Sequence, residues 1–443
     1  MTEPTPLRSV GRGRRIPSLE VGVAVAAFLG LCAAVLARST SLLEPDDLAY
    51  RASIVALTHG HIALTNAQYN VLSTQIGGIA QWVQRANGTW ISEKNPGYPF
   101  FAAPFQLIGA LRVAPLFYGA LGCTGLYLGA RRWLGRFGGT WAVALYCSSG
   151  AALVFTWRAT MPTFTDASLI AAGTGLLLWT LLAADAPAPR RTLAGLLAFL
   201  AFEGATFIRY TNVVVLLVAV AAVLVALKAA AVPGRSMLVW FGSVTVFGGA
   251  AAAFDSAYYG GATKTGYVSG EITFSLGAVT SNLTHMPAHL VASMPLITVA
   301  LAAVVWTAVR LIRRGDALRS PGAGRDAAVV VVLTASWVAV YGLYSAYTWT
   351  VSLAPNAGAT LQVVRFYLPA LGAVSLLAAW VLEQFPRRVP IAVIVSLACV
   401  GVLSYGHLAG SGPGGGFGRG PGVGGAPAQS GSLPSLAPSS GSG

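Results

Sequence analysis

The chain has 443 residues, of which 55% are hydrophobic and only 9% charged, and its mean hydropathy is +0.67. That is too little charge to cover a soluble protein of this size, so a membrane protein is expected. The net charge of +14 would point to nucleic acid if read alone, but the basic residues cluster in alternate loops between long apolar runs, so nucleic-acid binding is not needed to explain it.

A membrane-crossing helix needs roughly 17–25 mostly apolar residues, because the hydrocarbon layer is about 30 Å thick. Such runs fall at 20–37, 113–130, 139–156, 167–184, 193–208, 211–228, 237–254, 291–309, 327–345, 366–383 and 389–406. They predict an all-α, multi-pass protein of about eleven transmembrane helices. The run at 193–208 is the shortest and carries Glu203. Of the 28 Lys and Arg residues, 18 lie on one side of this map, which carries +12 against +2 on the other. By the positive-inside rule the basic side is cytoplasmic. The basic segment 1–19 is then a cytoplasmic N-terminus, 20–406 is the transmembrane domain, and 407–443 lies outside the cell membrane. The first run is read as a retained span, not a cleaved signal peptide, because so many spans follow.

The first outer loop, 39–112, is the largest. Its mixed stretches 48–64 and 75–83 read as short helices on the membrane surface, apolar faces down. Shorter outer segments fall at 157–166, 255–290 and 347–365. The Gly-, Pro- and Ser-rich tail beyond His407 has too little apolar content to bury a core and is expected to be disordered. The triplets Asn87-Gly88-Thr89 and Asn282-Leu283-Thr284 match the short N-glycosylation pattern on the predicted outer face. Cys32, Cys123, Cys147 and Cys399 all sit in apolar runs without paired spacing and read as packing residues.

Charges beside span ends on the outer face are costly and call for a reason. Glu44-Pro45-Asp46-Asp47 places three carboxylates in four residues just after the first span. Mutual repulsion there can make one a general base toward a hydroxyl; a solvated turn with Asp46 or Asp47 capping a helix is the structural alternative. Asp166 opens the fourth span, either as a second carboxylate facing the first loop or as a helix cap. Glu93-Lys94-Asn95-Pro96-Gly97-Tyr98-Pro99 would hold an ammonium at a fixed place, where lysine suits a phosphate, unless it snorkels to the interface. Arg209-Tyr210 and Arg365-Phe366-Tyr367-Leu368-Pro369 put arginines on the side where positive charge is disfavoured, as interface anchors or as partners of an anionic ligand. The histidines lack a carboxylate or cysteine set with ligand spacing, so no zinc site is expected.

In this order the motifs resemble those of the GT-C superfamily of integral membrane glycosyltransferases. The branch they resemble most includes protein O-mannosyltransferases, the lipid A aminoarabinose transferase and their actinobacterial relatives. The resemblance covers roughly residues 20–385 and rests on Pro45-Asp46-Asp47, Lys94 to Pro99, Ala130-Arg131-Arg132-Trp133-Leu134-Gly135-Arg136, Thr165-Asp166 and Arg365-Phe366-Tyr367-Leu368-Pro369. Asn95 stands where the family has the first proline of its lysine-proline turn, and no folded outer domain is expected after the last span.

The resemblance implies a hexosyl- or pentosyltransferase that takes a sugar from a polyprenyl-phosphate donor and passes it to a glycan, lipid or protein hydroxyl with inversion. Asp47 would be the general base, with Asp46 the alternative and Asp166 a supporting carboxylate. Glu44, Lys94, Tyr98, Arg209, Tyr210, Arg365 and Tyr367 would bind substrate. No cofactor is expected, and a divalent metal is not favoured, because Asp46-Asp47 lacks the spaced Asp-x-Asp form. A transporter or lipid flippase would place its ionisable residues near mid-membrane, whereas here only Glu203 is so placed. A non-catalytic role in a cell-envelope complex is the third class.

Overall fold

The computed structural model describes residues 19–37, 44–228, 232–264, 266–267, 273–313 and 321–410. The predicted basic N-terminal segment and the tail beyond 410 lie outside the described residues. Helix α1 (Leu19–Leu36) leads into the first loop, which holds α2 (Pro45–Thr58), α3 (Asn66–Ile76) and α4 (Gly97–Leu107). Then follow α5 (Ala114–Leu134), α6 (Gly138–Cys147), α7 (Gly150–Trp157), α8 (Thr163–Leu182), α9 (Ala188–Ile208), α10 (Val213–Lys228) and α11 (Gly234–Tyr259). The last third comprises α12 (Leu276–Ser293), α13 (Leu296–Arg313), α14 (Pro321–Ser345), the short α15 (Thr360–Val364), α16 (Leu371–Leu382) and α17 (Arg388–Gly410).

Among the described residues, six helices are long and apolar enough to cross a membrane, or eight if each of two bent pairs is one span. Shorter apolar helices at Glu20–Leu36, Leu368–Leu382 and Arg388–Ser404 fall on the remaining predicted runs. The all-helical, multi-pass class therefore stands. Two of the expected straight spans are broken. The run at 139–156 bends by 62° between α6 and α7, and α12 meets α13 at 114°. The first break is at Ser148-Ser149, where Ser149 is extended. The second is at Met294-Pro295, where proline has no N–H to continue the ladder. Much of the 255–290 stretch, read from sequence as an outer loop, is thus the long helix α12.

Small residues decide how the spans meet. A Cβ at Gly125 of α5 would lie 2.6 Å from the Ala172 carbonyl oxygen of α8, and one at Gly122 would lie 2.9 Å from that of Ser168. Gly129 and Gly175 likewise meet the facing backbone with no room for a side chain. Lipid is as apolar as leucine, so such close backbone packing, not hydrophobic burial, holds membrane helices together. Gly125→Leu is expected to cost about 1–3 kcal/mol through overpacking. A thermal melt of the purified protein checks this, and an unchanged Tm would reject the seam. Cys123 and Cys147 approach to 3.6 Å in the same region, and all four cysteines are free thiols.

The first loop is more than surface helices. Helix α2 ends at Thr58, and the expected helix at 75–83 is instead the end of α3, a Gly77-Gly78 turn with both φ positive, and a strand. Strands β1 (Ala63–Leu64), β2 (Trp82–Gln84) and β3 (Trp90–Ser92) form an antiparallel sheet in the order β1-β3-β2, with Ile91 opposite both Ala63 and Val83. Leu64, Leu72, Ile76 and Trp82 bury together beneath it. Strands of two or three residues are too short to show alternation in the sequence. In the second triplet, Asn282 is fully buried and donates to the carbonyls of Ser345 and Tyr347, so it is no accessible glycosylation acceptor.

Candidate active site

The acidic turn folds back on itself first. Glu44 is the N-cap of α2, Pro45 the first helical residue, and Asp47 the third. The Asp47 N–H donates to the Glu44 carbonyl at 3.0 Å while Asp47 Oδ2 accepts from the Glu44 N–H at 3.1 Å, a capping box that holds Glu44 and Asp47 together. Adjacent residues on a helix point about 100° apart, and here that separates two fates. Asp47 is fully buried, ion-paired to Arg158 and accepting the Thr160 hydroxyl at 2.7 Å. Asp46 points to the opposite partners: its Oδ1 lies 2.9 Å from Lys94 Nζ and its Oδ2 lies 2.6 Å from Arg365 Nη1. Arg365 Nη1 also reaches Glu44 Oε2 at 3.0 Å, and Arg158 reaches Glu44 Oε1 at 3.3 Å.

The result is a continuous network of three carboxylates and three cations drawn from four parts of the chain. Burial alone would raise the Asp46 carboxyl, but the charges of Arg365 and Lys94 outweigh it and hold the group well below the usual carboxylate range. Burial would lower the Lys94 ammonium, and Asp46 more than offsets this. Buried ion pairs persist only when each charge is matched and hydrogen-bonded, so removal of one member exposes another.

A cavity of about 1010 Å³ opens on this network. Asp46, Lys94, Arg209 and Arg365 line it, and so do Tyr210, Gln81, Glu93 and Asn95. Its other wall is aromatic, including Tyr267, Tyr347, Trp349 and Phe366. The rings hold the cations: Lys94 Nζ lies 4.9 Å from the Tyr267 ring centre, and Arg365 lies 4.9 Å from Phe366 and 5.2 Å from Trp349. Gly266 packs on the Ser92–Glu93 backbone so tightly that a Cβ would lie 2.6 Å from Glu93 Cα, which brings Tyr267 onto Lys94. Gly97 does the same at the other end of the motif, where any Cβ would overlap the Phe207–Ile208 backbone beside Arg209.

Several expected site residues lie behind the cavity wall. Asp47, the favoured base from sequence, does not line the cavity, while its neighbour Asp46 does. Asp166 is not the N-cap of α8, which is Pro162. It is fully buried, accepts from the Asn212 amide and lies 3.6 Å from Arg209 Nε, so it positions Arg209 without facing the cavity. Arg209 in turn donates to the Arg365 carbonyl at 3.1 Å. Tyr98 is buried against Tyr50 and donates to the Ala159 carbonyl, so it joins α4 to the 158–161 turn. Tyr367 packs edge-on against Tyr341 at 4.9 Å, away from the cavity. Tyr210 lines the cavity and donates to Asp255 at 2.7 Å.

Arg158 escaped the sequence reading. It caps the end of α7, on the side the charge map assigns to the outside, the same misplaced positive charge that marked Arg209 and Arg365. Glu44, Asp46 and Asp47 are each paired with an arginine or lysine, and among the described residues no group of three or more His, Cys, Asp or Glu could hold a metal ion.

No family profile and no curated protein matches the chain. Solved structures similar to it include ArnT from Cupriavidus metallidurans in the apo state, at 16% identity over 84% of this chain and 60% of that one, with a TM-score of 0.48. The same ArnT bound to undecaprenyl phosphate gives 15% identity, 89% and 70% coverage and a TM-score of 0.49. The oligosaccharyltransferase of Archaeoglobus fulgidus, in complex with zinc and sulfate, gives 16% identity, 87% and 53% coverage and a TM-score of 0.51. The chain therefore spans about half to two thirds of the proteins it resembles. What is shared is the fold: the chain has the multi-pass helical architecture of the archaeal oligosaccharyltransferase.

Proposed function

We propose that the chain is a GT-C-type glycosyltransferase. It moves a hexosyl or pentosyl group from a polyprenyl-phosphate donor to a hydroxyl of a glycan, lipid or protein on the outer face of the membrane, with inversion. The supporting observation is the cavity in which Asp46 stands between Lys94 and Arg365, at 2.9 and 2.6 Å, with Arg209 beside them.

Such a donor needs a cationic seat for its phosphate and a carboxylate within reach of the acceptor hydroxyl. Lys94, Arg365 and Arg209 are that seat. The acceptor oxygen attacks the anomeric carbon, its proton passes to Asp46, and the sugar–phosphate C–O bond breaks with its electron pair left on the phosphate oxygen. Fixed cations stabilise the charge developing there. Donor binding also prepares the base: cations that turn to the phosphate have less hold on Asp46, so its affinity for a proton rises as the site fills. Asp47, Glu44 and Arg158 act as positioning residues that keep the start of α2 rigid.

The test is turnover by the purified protein with a panel of undecaprenyl-phosphate sugars and cell-envelope acceptor fractions. Formation of a glycoside of inverted configuration is the expected result, and no release of undecaprenyl phosphate with any sugar would overturn the reading. The proposed orientation, with the N-terminus cytoplasmic and the tail outside, has its own test. Ala86 and Ala184 are both exposed. Ala86→Cys should react with a membrane-impermeant maleimide on intact cells and Ala184→Cys only after permeabilisation; the reverse pattern would invert the map.

A further inference from the structure

We infer that Gln81 reads a hydroxyl of the donor sugar, an inference that rests on the glycosyltransferase reading. Three observations meet at this residue. Gln81 has φ +55°, and among the described residues no other non-glycine has positive φ. That backbone is disfavoured for a residue with a Cβ, and such strain persists where surrounding structure over-determines it, often at functional sites. Gln81 lines the same cavity as Asp46 and Lys94. Its side-chain Oε1 is buried without a hydrogen-bond partner, and an orphaned buried acceptor is uncommon enough to need a reason.

The strain is held from both sides. The Gln81 carbonyl accepts the Glu93 N–H at 2.9 Å, and Trp82, the next residue, is buried as the first residue of β2 opposite Ser92. The sheet of the first loop therefore locks Gln81 one hydrogen bond away from Glu93, the residue before Lys94. Neither half of the pattern helps folding: glycine would relieve the backbone, and any apolar residue would remove the orphan.

The chemistry of the ligand follows from what is missing. Gln81 Oε1 is an acceptor and calls for a donor. An ionised phosphate has none to offer, and three cations already serve it elsewhere in the cavity. A sugar hydroxyl donates and accepts at once. The neutral-to-acidic edge of Gln81, Glu93 and Asn95 is thus a sugar subsite beside the phosphate seat.

The test uses the purified full-length protein in lipid nanodiscs without acceptor. The probes are bare undecaprenyl phosphate and undecaprenyl phosphate carrying mannose, glucose or arabinose. In the wild type the best sugar-bearing lipid should bind more tightly than the bare lipid. Gln81→Gly should shrink that gap by roughly 5–50-fold, the scale of losing one buried hydrogen bond, while leaving bare-lipid affinity unchanged and Tm equal or higher, since glycine accepts the positive φ. A full gap in Gln81→Gly, with or without a fall in Tm, overturns the inference and leaves the glycosyltransferase reading standing. Equal binding of bare and loaded lipids by the wild type removes the sugar subsite alone. No binding of either lipid overturns the reading, and the inference with it.

Discussion

Replacing Asp46 by Asn is expected to lower turnover by roughly 10²–10⁴-fold, the usual cost of a lost general base, with donor affinity unchanged or improved. The two halves have one origin. In the wild type Asp46 competes with the donor for Lys94 and Arg365, at 2.9 and 2.6 Å. Asn has nearly the same shape and no charge, so both cations are freed for the phosphate while the proton loses its destination. Arg365 keeps Glu44 at 3.0 Å, and both cations line the cavity, so the fold should tolerate the change. Asp47→Asn should behave in the opposite way. It leaves Arg158, only 2% exposed, without its main partner. Breaking a buried pair from one side costs about 3–5 kcal/mol, so a large fall in Tm is expected. Steady-state kinetics, donor binding and melting of the two variants check the assignment together. If Asp47→Asn lost turnover with its Tm intact and Asp46→Asn kept full turnover, the base would be Asp47.

Arg365→Ala is expected to reduce turnover by about 10²–10³-fold, the scale seen when one stabiliser of developing charge is removed, and to weaken donor binding as well. Arg365 joins the network at its centre, bridging Glu44 and Asp46 and packed over Phe366 and Trp349. Arg365→Lys should recover part of the binding and little of the turnover. A lysine is a single point charge and cannot lie flat on the Phe366 and Trp349 rings as the guanidinium does while donating to both carboxylates. Donor affinity and kcat measured separately give the answer; full activity in Arg365→Lys would mean that charge alone, without the planar guanidinium, is enough. Loss of binding without any loss of Tm in Arg365→Ala would tie the residue to the ligand more than to the fold.

Much of this site was visible in the sequence as charge out of place. Lys94, Arg209 and Arg365 stand on the side of the membrane map that carries only +2, and all three line the cavity. Arg158 carried the same signal. What was not visible was partnership. Arg365 meets Asp46 across 319 residues and Arg158 meets Asp47 across 111, and nothing local encodes such pairings. The aromatic wall was hidden for a related reason, since Tyr267, Tyr347 and Trp349 look like ordinary interface aromatics until the loops converge.

By itself the sequence determined the class of protein: runs of apolar residues must cross the hydrocarbon layer as helices, because the backbone has no other way to satisfy its hydrogen bonds there. It also determined that the helix ends on the less basic side of the map carry charges in need of an explanation. Only the tertiary structure decided which of Asp46 and Asp47 faces the cavity, that Asp166 holds Arg209 from behind, where two apolar runs break, and that a three-stranded sheet sets Gln81 at the edge of the site. The division is physical. Crossing a membrane depends on the summed hydropathy of some twenty neighbours in sequence, whereas the direction of one side chain depends on partners that only the packed helices bring within 3 Å.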